Sequence, residues 1–365
     1  HHWNLADHFG FNSLQRWRLI EWPQIREALP GIGLLIFMLC LTSFAVVLTL
    51  GGGPKSTTLE VAIYQSLRFE FEPGQAVILA LLQLMLCLLV AFFSHYFQST
   101  PDVEISPDSG LSKRSHRSPI ASLIILLAGI YVCLPLISML IDAATGPVWQ
   151  VITESKLWLA AFYSLAIGLS ASLLSVTAGW FLLTTSSQLH NQGKKFQARW
   201  IEMAGSIVYV VPPLVIGTGY FVLLAPHVNV FEWVFPMVIG INAVMGLPFV
   251  IRSLGPAMRQ HRMRYDKLCA SLQITGWNRW IKIDWPMLRR PIALSLALVC
   301  ALAMGDLGVI ALFGTTDNTT LPLLLYQQLS AYLIPQAAVT AVMLLLFCLG
   351  MYVCIERLAG GKHDG

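Results

Sequence analysis

Eight apolar runs, each long enough to cross a bilayer, decide what this chain can be. They fall at roughly 31–50, 75–97, 119–141, 157–185, 201–226, 231–251, 293–313 and 336–356. About 20 residues rising 1.5 Å each cross a ~30 Å hydrocarbon core. In lipid every backbone N–H and C=O must be satisfied within the protein, so such runs are helices, and the strand alternation of an outer-membrane barrel is absent. The residue balance agrees: 12% of residues are charged, about half the share of a soluble domain. The expected class is an all-α polytopic membrane protein with about eight transmembrane helices.

Charge fixes the orientation. Alternate loops carry Arg16, Arg18 and Arg26; Lys113, Arg114 and Arg117; Lys194, Lys195 and Arg199; and nine Lys or Arg between Arg252 and Arg290, with Arg357 and Lys362 in the tail. The intervening loops carry Lys55, Arg68 and Lys156. Twenty cations against three is a strong positive-inside bias, so the basic loops face the cytoplasm. The net charge of +4 reflects this asymmetry rather than nucleic-acid binding. Six of the seven cysteines lie inside apolar runs and none forms a CxxC pair, so neither a zinc site nor a disulfide framework is expected.

The chain also repeats itself. Arg16-Trp17 followed by Ile20-Glu21-Trp22-Pro23 returns as Arg279-Trp280 followed by Ile283-Asp284-Trp285-Pro286, displaced by 263 residues. Thr57-Thr58-Leu59 with Ile63-Tyr64-Gln65 returns as Thr319-Thr320-Leu321 with Leu325-Tyr326-Gln327, displaced by 262. Two ordered blocks flanking an apolar run of equal length indicate an internal duplication. Six spans separate the copies, so both halves run the same way through the membrane, a parallel repeat about an axis along the membrane normal.

The expected organisation is a first repeat over 1–97, a solvated cytoplasmic linker over 98–118 rich in Ser, Pro and charge, and a second repeat over 119–365 with its loop at about 254–292. The second loop has four spans before it and the first has none. The chain is therefore expected to be the C-terminal part of a longer protein, lacking about four spans of its first repeat.

Each repeated loop reads as a short helix ending in a turn, then a second helix stopped by Pro23 or Pro286, which together make a protruding knob. Trp277 and Trp280 supply an apolar anchor and the arginines a polar rim, the mix of a docking hot spot. A knob presented twice about one axis suits a symmetric dimeric partner below the membrane.

The spacing resembles the cytoplasmic loop of ABC-importer permeases: Glu-Ala-Ala, three residues, Gly, nine residues, Ile, one residue, Leu-Pro. In the first copy Ala6, Gly10, Ile20 and Pro23 fit, while Asn4 and Leu5 replace Glu and the first Ala. In the second, Ile283 and Pro286 fit; Lys267, Leu268 and Cys269 replace the triplet and Gln273 replaces the Gly. Over nearly its whole length the chain resembles thiamine importer permeases of Gram-negative bacteria, fused two-half members of the ferric-iron/thiamine group. Glu21-Trp22-Pro23, Leu50-Gly51-Gly52-Gly53-Pro54, Gly305-Asp306 and Tyr326-Gln327-Gln328 carry that resemblance.

The resemblance implies a type I ABC-importer permease fold in the bacterial inner membrane. It also implies two ATPase subunits docked on the loops, a periplasmic substrate-binding protein that delivers thiamine or its phosphate esters, and ATP with Mg²⁺ on the ATPase partner. This chain is expected to bind no cofactor and no nucleic acid. The coupling-loop candidates are Ala6, Gly10, Ile20, Pro23, Cys269, Gln273, Gly276, Trp277, Ile283 and Pro286.

Candidates for the translocation pathway lie deeper. Asp306, between Gly305 and Gly308, is an intramembrane acid and must face protein or water; it meets a group on a neighbouring helix or a cationic substrate. Ser43 stands at the matching place in the first repeat. Pro212 and Pro213 interrupt helical hydrogen bonding near mid-membrane, where a break packs as a kink or lines a cavity. Tyr64 and Tyr326, duplicated, are expected as anchors at the outer mouth.

Other classes fit less well. Gly51 to Thr57 resembles a phosphate loop only superficially, since Pro54 stands where its Gly belongs, and it reads as an external re-entrant loop. The chain has no Walker A sequence, so ATP hydrolysis belongs to another polypeptide. Permeases for ferric iron or polyamines share the expected fold. An ion-coupled secondary transporter predicts several intramembrane ionisable groups and often inverted repeats. An intramembrane enzyme predicts HExxH or paired-Asp motifs that the sequence lacks.

Overall fold

Apolar composition sets where most of the helices run, and glycine and proline mark several of their breaks. The computed structural model describes residues 11–51, 57–97, 119–230, 232–274, 276–314 and 318–359, which are helices and connecting turns with no strand among them. The first half comprises α1 (Ser13–Arg16), a five-residue π turn (Trp17–Glu21), α2 (Trp22–Leu41), α3 (Phe44–Leu50), α4 (Leu59–Arg68) and α5 (Pro73–Phe97). Then come α6 (Pro119–Thr145), α7 (Val148–Thr153), α8 (Ser155–Asn191), α9 (Lys195–Ile207), α10 (Pro213–Leu224) and α11 (Val234–Ser271). The second half closes with α12 (Gly276–Arg279), a π turn (Trp280–Asp284), α13 (Trp285–Met304), α14 (Gly308–Phe313), α15 (Leu321–Ser330) and α16 (Ile334–Ala359).

The duplication is visible element by element. α1, its π turn and α2 match α12, its π turn and α13 at a constant displacement of 263 residues, and α2 and α13 are each 20 residues long. The short α3 and α14 follow, then the ten-residue α4 and α15, then the long α5 and α16. One folding recipe is thus used twice.

Six stretches among the described residues are long and apolar enough to cross a membrane. The other two expected spans are not continuous helices. The run 31–50 divides between α2 and α3 at Thr42-Ser43, and 201–226 divides into α9, a 3-10 turn at Val208–Val210 and α10. At the second break Pro212 and Pro213 remove two N–H donors, and Pro213 opens α10 with its fixed φ. The run 293–313 is also broken, where Gly305 ends α13 and Asp306 precedes α14. Conversely, α8 and α11 reach 37 and 38 residues, because their polar ends stay helical beyond the apolar run.

Among the described residues the core falls into four clusters, and two regions of it bear on the site. α8, α11 and α13 pack on one another, with α16 against α13. Their close approach needs a small residue at Gly246, where a Cβ would stand 2.5 Å from Val299 Cγ1 and 2.7 Å from Ser175 Oγ. The β-branched Val299 has little rotamer freedom with which to yield. Gly246→Val is therefore expected to cost about 1–3 kcal/mol by overpacking, read as a lower unfolding temperature in detergent.

The second region joins the repeats. Phe44, Ile63 and Tyr64 of the first half share one buried cluster with Leu214, Val309 and Phe313 of the second. Arg68 Nη2 donates to the Gly314 carbonyl at 2.8 Å. The Leu321 N–H, opening α15, donates to Ser164 Oγ of α8 at 2.8 Å and so gains the partner that a helix N-terminus lacks.

Candidate functional site

Two places stand out: the paired loops, and a cavity where the broken helices meet. In the second loop, α11 ends in a left-handed C-terminal turn. Gln273 has φ +55°, and the Ile274 N–H reaches back to the Cys269 carbonyl at 2.9 Å, the six-residue closure of a Schellman turn. Gln273 occupies the position where the importer loop pattern has Gly, and the backbone shows why Gly suits it. Gly276, at φ +62°, makes a second left-handed step into α12. Gln273→Gly is expected to raise stability by about 0.5–1 kcal/mol, since an L side chain pays for this conformation and Gly does not; a thermal melt measures it.

Polar contacts brace the loop from α11. His261 Nε2 lies 2.8 Å from Asp284 Oδ1, Arg279 Nε lies 3.4 Å from Asp284 Oδ2, and Arg279 Nη2 pairs with Asp266. His261 is buried, while Arg279 and Asp266 are partly exposed. The brace holds the π turn against α11.

The tryptophans show the same geometry twice. Trp17 and Trp22 have ring centroids 5.3 Å apart at 31°, and their counterparts Trp280 and Trp285 are 5.4 Å apart at 35°. Trp277 stacks on Trp280 at 4.9 Å yet stays 70% exposed, and its counterpart in the first loop, Leu14, is 75% exposed. Each loop thus offers an uncovered apolar residue at the same place.

The other loop candidates are distributed as follows. Pro23 and Pro286 are exposed at the second position of α2 and α13, Ile20 and Ile283 lie in the two π turns, and Ile283 is half-buried. Cys269 is buried inside the turn and is not part of the presented surface. Ala6 and Gly10 lie outside the described residues.

Three of the six pathway candidates, Ser43, Pro213 and Asp306, converge. A cavity of about 220 Å³ is lined by Thr42 and Ser43 at the first break, Gly305, Asp306 and Gly308 at the second, Pro213 and Leu214 at the start of α10, and Phe44 and Glu60. Three helix interruptions, two of them equivalent by the duplication, therefore surround one space. Asp306 Oδ1 accepts from the Gly308 N–H at 3.0 Å and Oδ2 from the Val309 N–H at 3.4 Å, with Asn242 of α11 beside it. The acid turns onto its own chain as well as toward a neighbouring helix. Pro212 is buried just before α10. Tyr64 and Tyr326 line a separate cavity of about 180 Å³, and Tyr64 is buried between Phe44 and Phe69. The duplicated tyrosines thus line one cavity, Tyr64 buried and Tyr326 half-buried.

Glu60 is the residue the sequence did not single out. It is 1% exposed and its Oε1 accepts from Gln83 Nε2 of α5 at 3.1 Å. It lies between two apolar runs. The available signal was Gln83, an amide inside an apolar run that needs a polar partner.

Comparison with known proteins agrees with this geometry. Residues 185–360 match the family model described as binding-protein-dependent transport system inner membrane component. The chain is 40% identical over 368 residues to the thiamine transport system permease protein ThiP of Brucella abortus (strain 2308), covering 100% of this chain and 67% of that relative. It is 38% identical over 363 residues to the protein of the same name from Escherichia coli (strain K12), covering 98% and 67%. It is also 25% identical over 206 residues to a putative 2-aminoethylphosphonate transport system permease, PhnV, of Salmonella paratyphi A, covering 55% and 75%. The chain belongs to the thiamine transport system permeases, multi-pass inner-membrane components of binding-protein-dependent transport systems.

Proposed function

We propose that this chain is the membrane-spanning, non-catalytic subunit of an ATP-binding-cassette importer that moves thiamine, or its phosphate esters, from a periplasmic binding protein into the cytoplasm. Two ATPase subunits dock on the loops around Leu14 and Trp277 and carry the ATP and Mg²⁺. Their closure moves both loops, and the second loop passes that motion through its brace to α11. The observation that carries this reading is the pair of loops, built alike at a fixed sequence displacement with an uncovered apolar residue at the same position in each. Pro23, Gly276 and Pro286 shape these knobs; the cavity at Ser43, Pro213 and Asp306 lies on the path between the halves.

Purification of the intact complex through a tag on this chain tests it. The expected preparation contains an ATPase polypeptide, and the periplasmic partner isolated with it yields thiamine or a thiamine phosphate. A periplasmic partner loaded with ferric iron or a polyamine would replace the substrate and leave the architecture; no ATPase in the complex would overturn the reading.

A further inference from the structure

The cavity between the broken helices is lined by two acids, Glu60 and Asp306, and one oxygen of Glu60 has no hydrogen-bond partner. We propose that Glu60 and Asp306 form a resting site for one organic ring cation on the translocation path, of the thiazolium kind carried by thiamine; this rests on the permease reading above. The first support is burial. Glu60 is 1% exposed and lines the cavity, and although Oε1 is bonded to Gln83, Oε2 has no hydrogen-bond partner. A buried carboxylate oxygen left unpaired is costly, and a cation resting against it removes that cost.

The second support is the unequal use of the two acids. Asp306 already uses the α14 terminus through Gly308 and Val309, which leaves Glu60 as the group facing the ligand. The third support is shape. Phe44 supplies an aromatic wall, a surface that attracts ring cations, and about 220 Å³ suits a single ring better than a whole elongated ligand.

The two acids come from opposite repeats at non-equivalent positions. Glu60 has Pro322 as its counterpart, and Asp306 has Ser43. The site is therefore one asymmetric pocket where the repeats meet rather than a pair of identical ones.

The test uses the assembled importer in proteoliposomes, with ATP on the ATPase side, loaded binding protein on the other, and radiolabelled thiamine. Glu60→Gln keeps the amide partner of Gln83 and removes the charge. It is expected to lower uptake by at least about tenfold while ATPase stimulation by loaded binding protein stays within about twofold, and Glu60→Asp should recover part of the loss. Uptake by Glu60→Gln within twofold of the unsubstituted complex overturns the site and leaves the permease reading intact. No uptake by the unsubstituted complex overturns both.

If Glu60→Gln does not assemble or loses ATPase stimulation, labelling of Ser43→Cys in a background lacking the native cysteines decides. A cationic thiosulfonate is expected to react about tenfold faster than an anionic one and to be slowed by thiamine. Equal rates, or a faster anionic reagent, overturn the proposal.

Discussion

Trp277→Glu should cost the importer nearly all of its uptake while the membrane helices remain folded. Trp277 is the most uncovered aromatic of the second loop, held by stacking on Trp280 and presented by the left-handed step at Gly276. Buried aromatic anchors at protein interfaces contribute roughly 2–4 kcal/mol each, and a charge in that place adds a desolvation cost. ATPase affinity is expected to fall about thirty-fold to several-hundred-fold, with uptake falling in parallel and the unfolding temperature of the isolated permease unchanged. Leu14→Glu should act in the same direction with a smaller effect, since leucine offers less contact area. Binding of the ATPase to the solubilised variants separates this from misfolding. Undiminished binding by the double variant would remove the basis for a docking role.

The largest stability effect is expected from Phe313→Ala. Phe313 has no exposed surface, stacks on Phe221 with ring centroids 6.3 Å apart, and sits in the cluster that joins the two repeats. Truncating a buried phenylalanine costs about 3–5 kcal/mol through lost transfer energy and the cavity left behind. Phe92→Ala is the control: that ring is 71% exposed on α5, and its loss should change stability by no more than about 0.5 kcal/mol. Thermal unfolding in detergent distinguishes the two. A Phe313→Ala protein as stable as the control would mean that the repeats are held together elsewhere.

The legible parts of this molecule were those written in short-range code. Hydropathy located the helices, and the repeated Trp-Pro pairs at Trp22-Pro23 and Trp285-Pro286 exposed the duplication, although each Pro was expected to stop a helix and instead stands at the second position of a long one, where its missing N–H costs nothing. Pro212-Pro213 announced its break because the helix interior excludes proline. The breaks at Thr42-Ser43 and Gly305-Asp306 were hidden, because apolar composition continues straight through them and hydropathy averages over the interruption. The polar ends of α8 and α11 were missed in the opposite sense: Thr184 to Asn191 and Arg252 to Ser271 lack the apolar signature yet keep helical geometry.

What remained out of reach was long-range. The brace of His261, Asp266, Arg279 and Asp284 links α11 to the loop beyond it, and no spacing rule pairs those positions. Asp306 drew notice as an acid inside an apolar run. Glu60, lying between runs, did not, although the fold brings both to one cavity. Gln273 illustrates a subtler gap. Its departure from the loop pattern looked like a lost residue, whereas the backbone keeps the left-handed turn and the side chain bears the strain.

The account rests on both loops being docking surfaces for the same motor. A photo-reactive amino acid at Leu14 in one preparation of the complete importer, and at Trp277 in another, tests this by the identity of what is captured on irradiation. Capture of the ATPase polypeptide from both positions is the expected result. Capture of the periplasmic protein, of lipid alone, or of the ATPase from only one position would contradict it.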